Sequence, residues 1–348
     1  MATNSKLFPG FYDPQNAGRW SYDPNLRTLM DAAVDYRAKA KIKPAGSDKQ
    51  RVALLLIDMQ RDFCFPEGTL YVGGRSGTGA IDDSRRVAEF IYREMGNITS
   101  IVSTMDTHFP FQIFTPSFWV DPNGEVLKPH DMIDANLGII RGGQPINMKA
   151  RPNPAMAAWL ANGNYGWLMK QVEYYVKELD KCGKKMLYVW PEHCVLGSMG
   201  HTLVGVIQEA RLFHSYVRGS QNEIEVKGGN PLTENYSVLG PEVLKRFDGG
   251  AIAQKNERFL NALLNNDMVI IAGQAASHCV DSTISDLLGE ILAKDPSLAK
   301  KVYVMRDCSS AVVVPGVVDF TPVAEQALDR YKAAGMHIVD STVPMSKW

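Results

Sequence analysis

DMVIIAGQAASHCVDSTISDLL, residues 267–288, places an apolar strand, a tight polar turn and an amphipathic helix end to end. Met268 to Ala272 is an unbroken apolar run of strand length, the pattern of a strand covered on both faces. Beyond the turn, Val280, Ile284, Leu287, Leu288 and Ile291 recur on one helical face, which predicts a helix over 279–293 with Cys279 in its first turn. The same alternation extends outward in both directions. RVALLLID at 51, ITSIVSTMD at 98, KKMLYVWP at 184, EIEVKG at 223, KVYVMRD at 301 and MHIVD at 336 read as strands. Helical patterns lie between them at 82–96, 165–182, 200–213 and Pro322 to Ala334. Together they predict an α/β fold, a three-layer α/β/α sandwich with a mostly parallel central sheet.

Two segments fall outside this rhythm. Residues 1–50 read as an N-terminal extension: Asp23 and Pro24 signal a helix start, and Leu26, Leu29, Met30, Ala33 and Arg37 follow at helical spacing to about residue 40. Lys43 to Gln50 is polar and suits a linker, so the main domain is expected over 51–348. Residues 109–183 are an insertion, rich in Pro, Gly, Asn and Asp up to Pro154, of a length that usually serves as a lid or a subunit contact.

Composition narrows the class. Of 348 residues 45% are hydrophobic and 22% charged, which excludes intrinsic disorder as a class. The net charge of −1 gives no global attraction to nucleic acid or acidic membranes, so a small molecule is the expected partner. The strongest apolar runs, such as Val52 to Ile57, fall far short of the ~20 residues of a membrane span. MATNSKLFPGFYDP has no apolar stretch of the secretory kind, and a cytoplasmic location is the expectation. Cys64, Cys182, Cys194, Cys279 and Cys308 form no CxxC pair and are expected to be reduced. The N-terminal arm suggests a homo-oligomer.

Ligands of open parallel sheets collect beyond the carboxyl ends of the strands. Those ends carry Asp58, Asp106 with His108 two residues on, Glu192, His193 and Cys194 after MLYVW, and Lys227. Taken singly, each has a bland reading as a turn residue, a helix cap, a solvated lysine or a buried thiol. Cys279 has more support. At the start of a helix the dipole and free amides favour thiolate, a lysine nearby would lower the thiol pKa further, and an aspartate could take the proton. Amides of the GQAASHC turn could serve as an oxyanion hole, whereas His278 is expected to face away from its neighbour. Asp106 and His108 lie on one side of a strand end and, joined by His193, would form a three-ligand site with open positions for zinc, iron or manganese. His130, His201, His214 and His337 read as structural.

LLLIDMQRDFCFPEGTL (54–70), the DTH at 106, WPEHCVLGSMG (190–200), EVKG followed by Tyr236 and Ser237, and GQAASHCVDSTISDLL (273–288) stand in the order of a known family. The sequence resembles the nicotinamidase and isochorismatase-like cysteine hydrolases from residue 51 to about 340. The resemblance implies an Asp58, Lys227, Cys279 triad with Asp58 as proton acceptor and Lys227 as thiolate stabiliser. It also implies an oxyanion hole from the Ala275 and Cys279 amides, and a cis peptide before Ala275. Asp106, His108 and His193 correspond to the metal ligands of the nicotinamidase branch, whose metal binds the pyridine nitrogen. Phe63 and Trp190 match aromatics flanking the substrate ring. The sequence departs from some members in having FPFQIFTPSFW and no second histidine after the DTH, so that water or Gln112 would complete the metal shell.

The expected activity is amide hydrolysis, nicotinamide to nicotinate and ammonia, with zinc as the first choice of metal. A carbamoyl or ureido substrate is the near alternative, and a non-catalytic binding or scaffold protein of the same fold is the alternative of a different class. Isochorismatase activity ranks lower, since that branch does not need the thiol.

Overall fold

The computed structural model describes residues 8–181 and 186–348. Six strands form a parallel sheet: β1 (Val52–Ile57), β2 (Ser100–Asp106), β3 (Glu223–Lys227), β4 (Met268–Gly273), β5 (Val302–Met305) and β6 (His337–Val339), in the order β6-β5-β4-β1-β2-β3. β1 is buried at every position because it is central and covered on both faces. Its alternation divides the core in two. Val52, Leu54 and Leu56 join Ile270 and Ala272 of β4 in one cluster, while Leu55 and Ile57 join Val269 and Ile271 in the other. That division is what a three-layer sandwich requires.

On the first face lie α1 (Leu26–Ala40), α2 (Gly79–Arg93) and α4 (Gly205–Arg218), while α3 (Tyr165–Lys181) packs within the insertion, against Arg151–Pro152 and Met156–Leu160. On the second lie α5 (Cys279–Lys294), α6 (Thr321–Ala333) and the short helix Glu257–Leu264, which Asn256 caps through a bond from the Phe259 amide (3.2 Å). The helix expected from residue 200 begins instead at Gly205. Residues 199–202 form a turn and Leu203 bridges to Gln60 beyond the end of β1, where the Thr202 carbonyl accepts from the Arg61 amide (2.9 Å) and the Val204 amide donates to Met59 (3.0 Å). The N-terminal segment packs on this chain: α1 lies on α4, and buried Arg218 reaches back to the Lys43 carbonyl and the Asp48 carboxylate.

One expected strand belongs elsewhere. Leu187–Tyr188 pairs antiparallel with Met132–Ile133, in a small sheet completed by Gly138–Arg141 and Gln144–Lys149, and takes no part in the central sheet. The insertion supplies that partner from strands of two to six residues, too short for periodicity to reveal. Lys184, Lys185 and Cys182 lie outside the described residues; the four described cysteines are buried and free. No helix among the described residues is long and apolar enough to cross a membrane.

The carboxyl ends of β1 and β4 meet at Gly273, whose φ is +125° and whose missing Cβ would stand 2.0 Å from the Ile57 carbonyl oxygen. Gly273→Ala is therefore expected to cost about 3 kcal/mol or more, through steric overlap and a φ that L residues avoid. Urea unfolding measures it, and a loss under about 1 kcal/mol would contradict the close approach.

Candidate active site

Four chain segments converge beyond the sheet's carboxyl edge. Asp58 follows β1 with φ +45°, Asp106 and Lys227 are the last residues of β2 and β3, and Cys279 opens α5. Asp106 and Lys227 face each other in the parallel register, which brings their side chains to one point. The Lys227 ammonium, 5% exposed, lies 2.8 Å from Asp58 Oδ2, 3.0 Å from Asp106 Oδ1, 3.6 Å from Cys279 Sγ and 3.0 Å from the Asn235 carbonyl. A ligand atom from each of Asp58, Asp106 and Cys279 falls within 4.8 Å of the others. Asp58 is steadied by Thr104, whose hydroxyl donates to its Oδ1 and accepts from its amide (3.0 Å).

Burial dominates the electrostatics. It pushes the Cys279 thiol up; Lys227 pulls it down, and the Asp58 and Asp106 charges push it further up, leaving it well above the ordinary thiol range. The sequence favoured a thiolate from the helix dipole and lysine, yet in the closed pocket desolvation and two carboxylates outweigh them. The Cys279 sulfur thus stands beside carboxylates that can accept its proton. Burial raises Asp58 as well, against the pull of Lys227. Lys227 is held well above its ordinary value, since the Asp106, Asp58 and Cys279 charges outweigh its desolvation. Asp106, although burial raises it, is drawn well below the carboxylate range by His108 and Lys227.

Beyond the cis Gln274–Ala275 peptide, the Ala276 amide donates to Ser310 (2.8 Å) and those of His278 and Val280 to the Ala275 carbonyl (3.0 and 3.2 Å). The Ala275 and Cys279 amides make no such turn bond among the described residues. They remain available to an oxygen beside Sγ.

Next to Asp58, Lys227 and Cys279 stand Asp106, His108 and His193, all buried. His108 Nδ1 faces the Gly228 carbonyl (3.0 Å) and His193 Nδ1 the Pro191 carbonyl (2.7 Å). A ring nitrogen against a carbonyl carries the proton, and in the neutral ring Nε2 is then left with a lone pair. Asp106 Oδ2 lies 2.9 Å from His108 Nε2 and 3.8 Å from His193 Nε2. A cation among these three atoms would be held by all of them. A two-nitrogen, one-carboxylate set with backbone-anchored imidazoles fits a divalent transition metal. His193 arrives on the loop after Leu187–Tyr188, not on a strand of the central sheet, and that loop is tied to β2 by His108 N–H to Cys194 (3.0 Å) and Leu196 N–H to His108 (3.0 Å). Gln112 is turned elsewhere, with its amide nitrogen donating to the Asn230 carbonyl (2.8 Å) and its oxygen accepting from Phe109 N–H (3.2 Å).

Phe63 and Trp190 line the pocket over Cys279, with Tyr236, His278, Val312 and Glu234. The Phe63 ring lies 5.4 Å from that of His193, and Trp190 Nε1 donates to the Tyr236 hydroxyl (2.8 Å). His278, expected to face away, is buried on the pocket wall with its ring 5.3 Å from Trp190.

Several supporting residues escaped the sequence reading. Gln60 clamps the end of β2, donating to the Asp106 carbonyl (2.7 Å) and accepting from the Asp106 amide (2.8 Å). Asp62 accepts from the Cys194 amide (2.7 Å). Gly228 (φ +86°) leaves room that a Cβ would take, 2.5 Å from Asp106 Oδ1. Gln60 and Thr104 each stand two residues from a chosen carboxylate, and that period-two spacing was the available signal.

No family model and no curated protein matches the sequence. Among solved structures, the chain is similar to nicotinamidases. An Acinetobacter baumanii nicotinamidase/pyrazinamidase is 17% identical, with 85% of this chain and 99% of that one covered and a TM-score of 0.49. The yeast nicotinamidase bound to the inhibitor nicotinaldehyde is 18% identical over 83% and 99%, TM-score 0.47. A Pyrococcus horikoshii pyrazinamidase in complex with zinc is 20% identical over 83% and 99%, TM-score 0.43.

Protein purified without chelator is expected to carry about one transition-metal ion per chain, as a closed set of three such donors would retain it. Elemental analysis reads this, with His193→Ala losing the ion; a metal-free wild type after incubation with zinc would contradict the lone-pair geometry.

Proposed function

We propose that the protein is a cysteine-dependent amidohydrolase acting on a small amide, with nicotinamide to nicotinate and ammonia as the leading reaction. The observation that carries the reading is the contact of one buried ammonium with a carboxylate and a thiol, Lys227 with Asp58 and Cys279, beside two unengaged amides. The resemblance of the motifs to nicotinamidase sequences points to the same chemistry.

Asp58 takes the thiol proton as Sγ attacks the amide carbon, so that no free thiolate is required in the empty pocket. Lys227 stabilises the negative charge as it moves from sulfur to oxygen, and the Ala275 and Cys279 amides receive the oxyanion. Asp58 then gives its proton to the departing nitrogen. Ammonia leaves, and a thioester joins the acyl group to Cys279. Water enters, Asp58 removes its proton, and collapse of the second tetrahedral adduct releases the acid and restores the thiol. Asp106, His108 and His193 would hold a zinc, iron or manganese ion, a Lewis acid that positions the substrate through its ring nitrogen. Phe63 and Trp190 flank the ring and exclude water.

Ammonia release from nicotinamide by the purified chain tests the reading. Cys279→Ala and Lys227→Ala are expected to lower kcat/KM by about a thousandfold or more, the scale for removing a nucleophile or its charge partner. Equal turnover by Cys279→Ala would remove the nucleophile assignment.

A further inference from the structure

The mechanism leaves the buried pocket carboxyl of Glu234 unused. Glu234 lines the pocket with Cys279 and Trp190, is 5% exposed, and accepts at Oε1 from its neighbour's amide, Asn235 N–H (3.0 Å). Its Oε2 is fully buried with no hydrogen-bond partner. This is no stray rotamer on a loose loop. The Glu234 amide is fixed on the Tyr175 hydroxyl (3.0 Å) and its carbonyl on Glu242 N–H (2.8 Å). A carboxyl oxygen held in this way without a partner is costly, and a bound ligand is an ordinary explanation for it.

We propose that Glu234 is a specificity residue whose Oε2 binds a second polar group of the substrate, a hydrogen-bond acceptor such as a carbonyl, distinct from the scissile amide. The proposal rests on the amidohydrolase reading and narrows its substrate class. The metal ligands and the amide turn already account for a ring nitrogen and the scissile carbonyl, so a further polar wall group selects a further polar substituent. Glu234 and Tyr236 also line a neighbouring cleft of about 310 Å³. Burial and the Asp106 charge hold the Glu234 carboxyl well above its usual range, which favours its protonated form. With Oε1 accepting from Asn235, Oε2–H is the donor.

The test uses nicotinamides carrying an acetyl group, or the isopropyl group of similar shape, on either ring carbon farthest from the carboxamide. Hydrolysis by the full chain is expected to favour the acetyl member of at least one pair by about tenfold in kcat/KM, chiefly through KM. Glu234→Leu should abolish that preference, and Glu234→Gln, which keeps a donor, should restore most of it. Calorimetric binding of the same pairs to Cys279→Ala, and to Cys279→Ala combined with Glu234→Leu, reads the contact without turnover. If no nicotinamide is hydrolysed but Cys279→Ala prefers the acetyl member through Glu234, the reaction assignment falls and the binding role stands. Absence of a preference in every pair, or one that survives Glu234→Leu, overturns the proposal.

Discussion

The site depends on one buried cation. The Lys227 ammonium is out of water and lies against two carboxylates, a carbonyl and a sulfur, and taking away one partner of such a set usually costs about 3–5 kcal/mol. Its position follows from sheet register. Because β2 and β3 run parallel with Asp106 beside Lys227, the amine reaches across β2 to Asp58 at the end of β1. The thiol is then brought in from the far side, where β4 ends against β1 and α5 begins.

Asp106 couples two halves that could otherwise be considered apart. One oxygen faces Lys227 and the other faces both imidazoles, so the cation beside Cys279 and the candidate metal-binding set share a single carboxylate. Its backbone is held by Gln60, and the space it occupies exists because residue 228 has no side chain. Such supporting residues restrict the rotamers of the groups that do the chemistry, which is how a site is kept in working geometry.

Much of this was legible in the chain. The apolar runs 52–57 and 268–272 announced strands buried on both faces, and the carboxylates, lysine and cysteine stood at strand ends and a helix start, where parallel sheets gather ligands. The run around Leu187 was equally apolar yet belongs to another sheet, because a core-facing hairpin in the insertion produces the same local pattern as a central strand. The electrostatic setting of Cys279 was only half legible for a related reason. Dipole and charge partners can be read from neighbours in sequence, whereas desolvation depends on everything packed above the thiol.

Sequence alone determined the class of architecture and placed Asp58, Asp106, Lys227 and Cys279 at strand ends and a helix start, since period-two and period-3.6 patterning and residue chemistry are local properties. Tertiary structure alone decided that Glu234 and His278 line the pocket, that His193 comes from a loop tied to β2, and that Asp106, His108 and His193 bring their ligand atoms together. These are contacts between residues distant in the chain, fixed by sheet register and by the close approach of backbones at Gly228 and Gly273, and no local pattern encodes them.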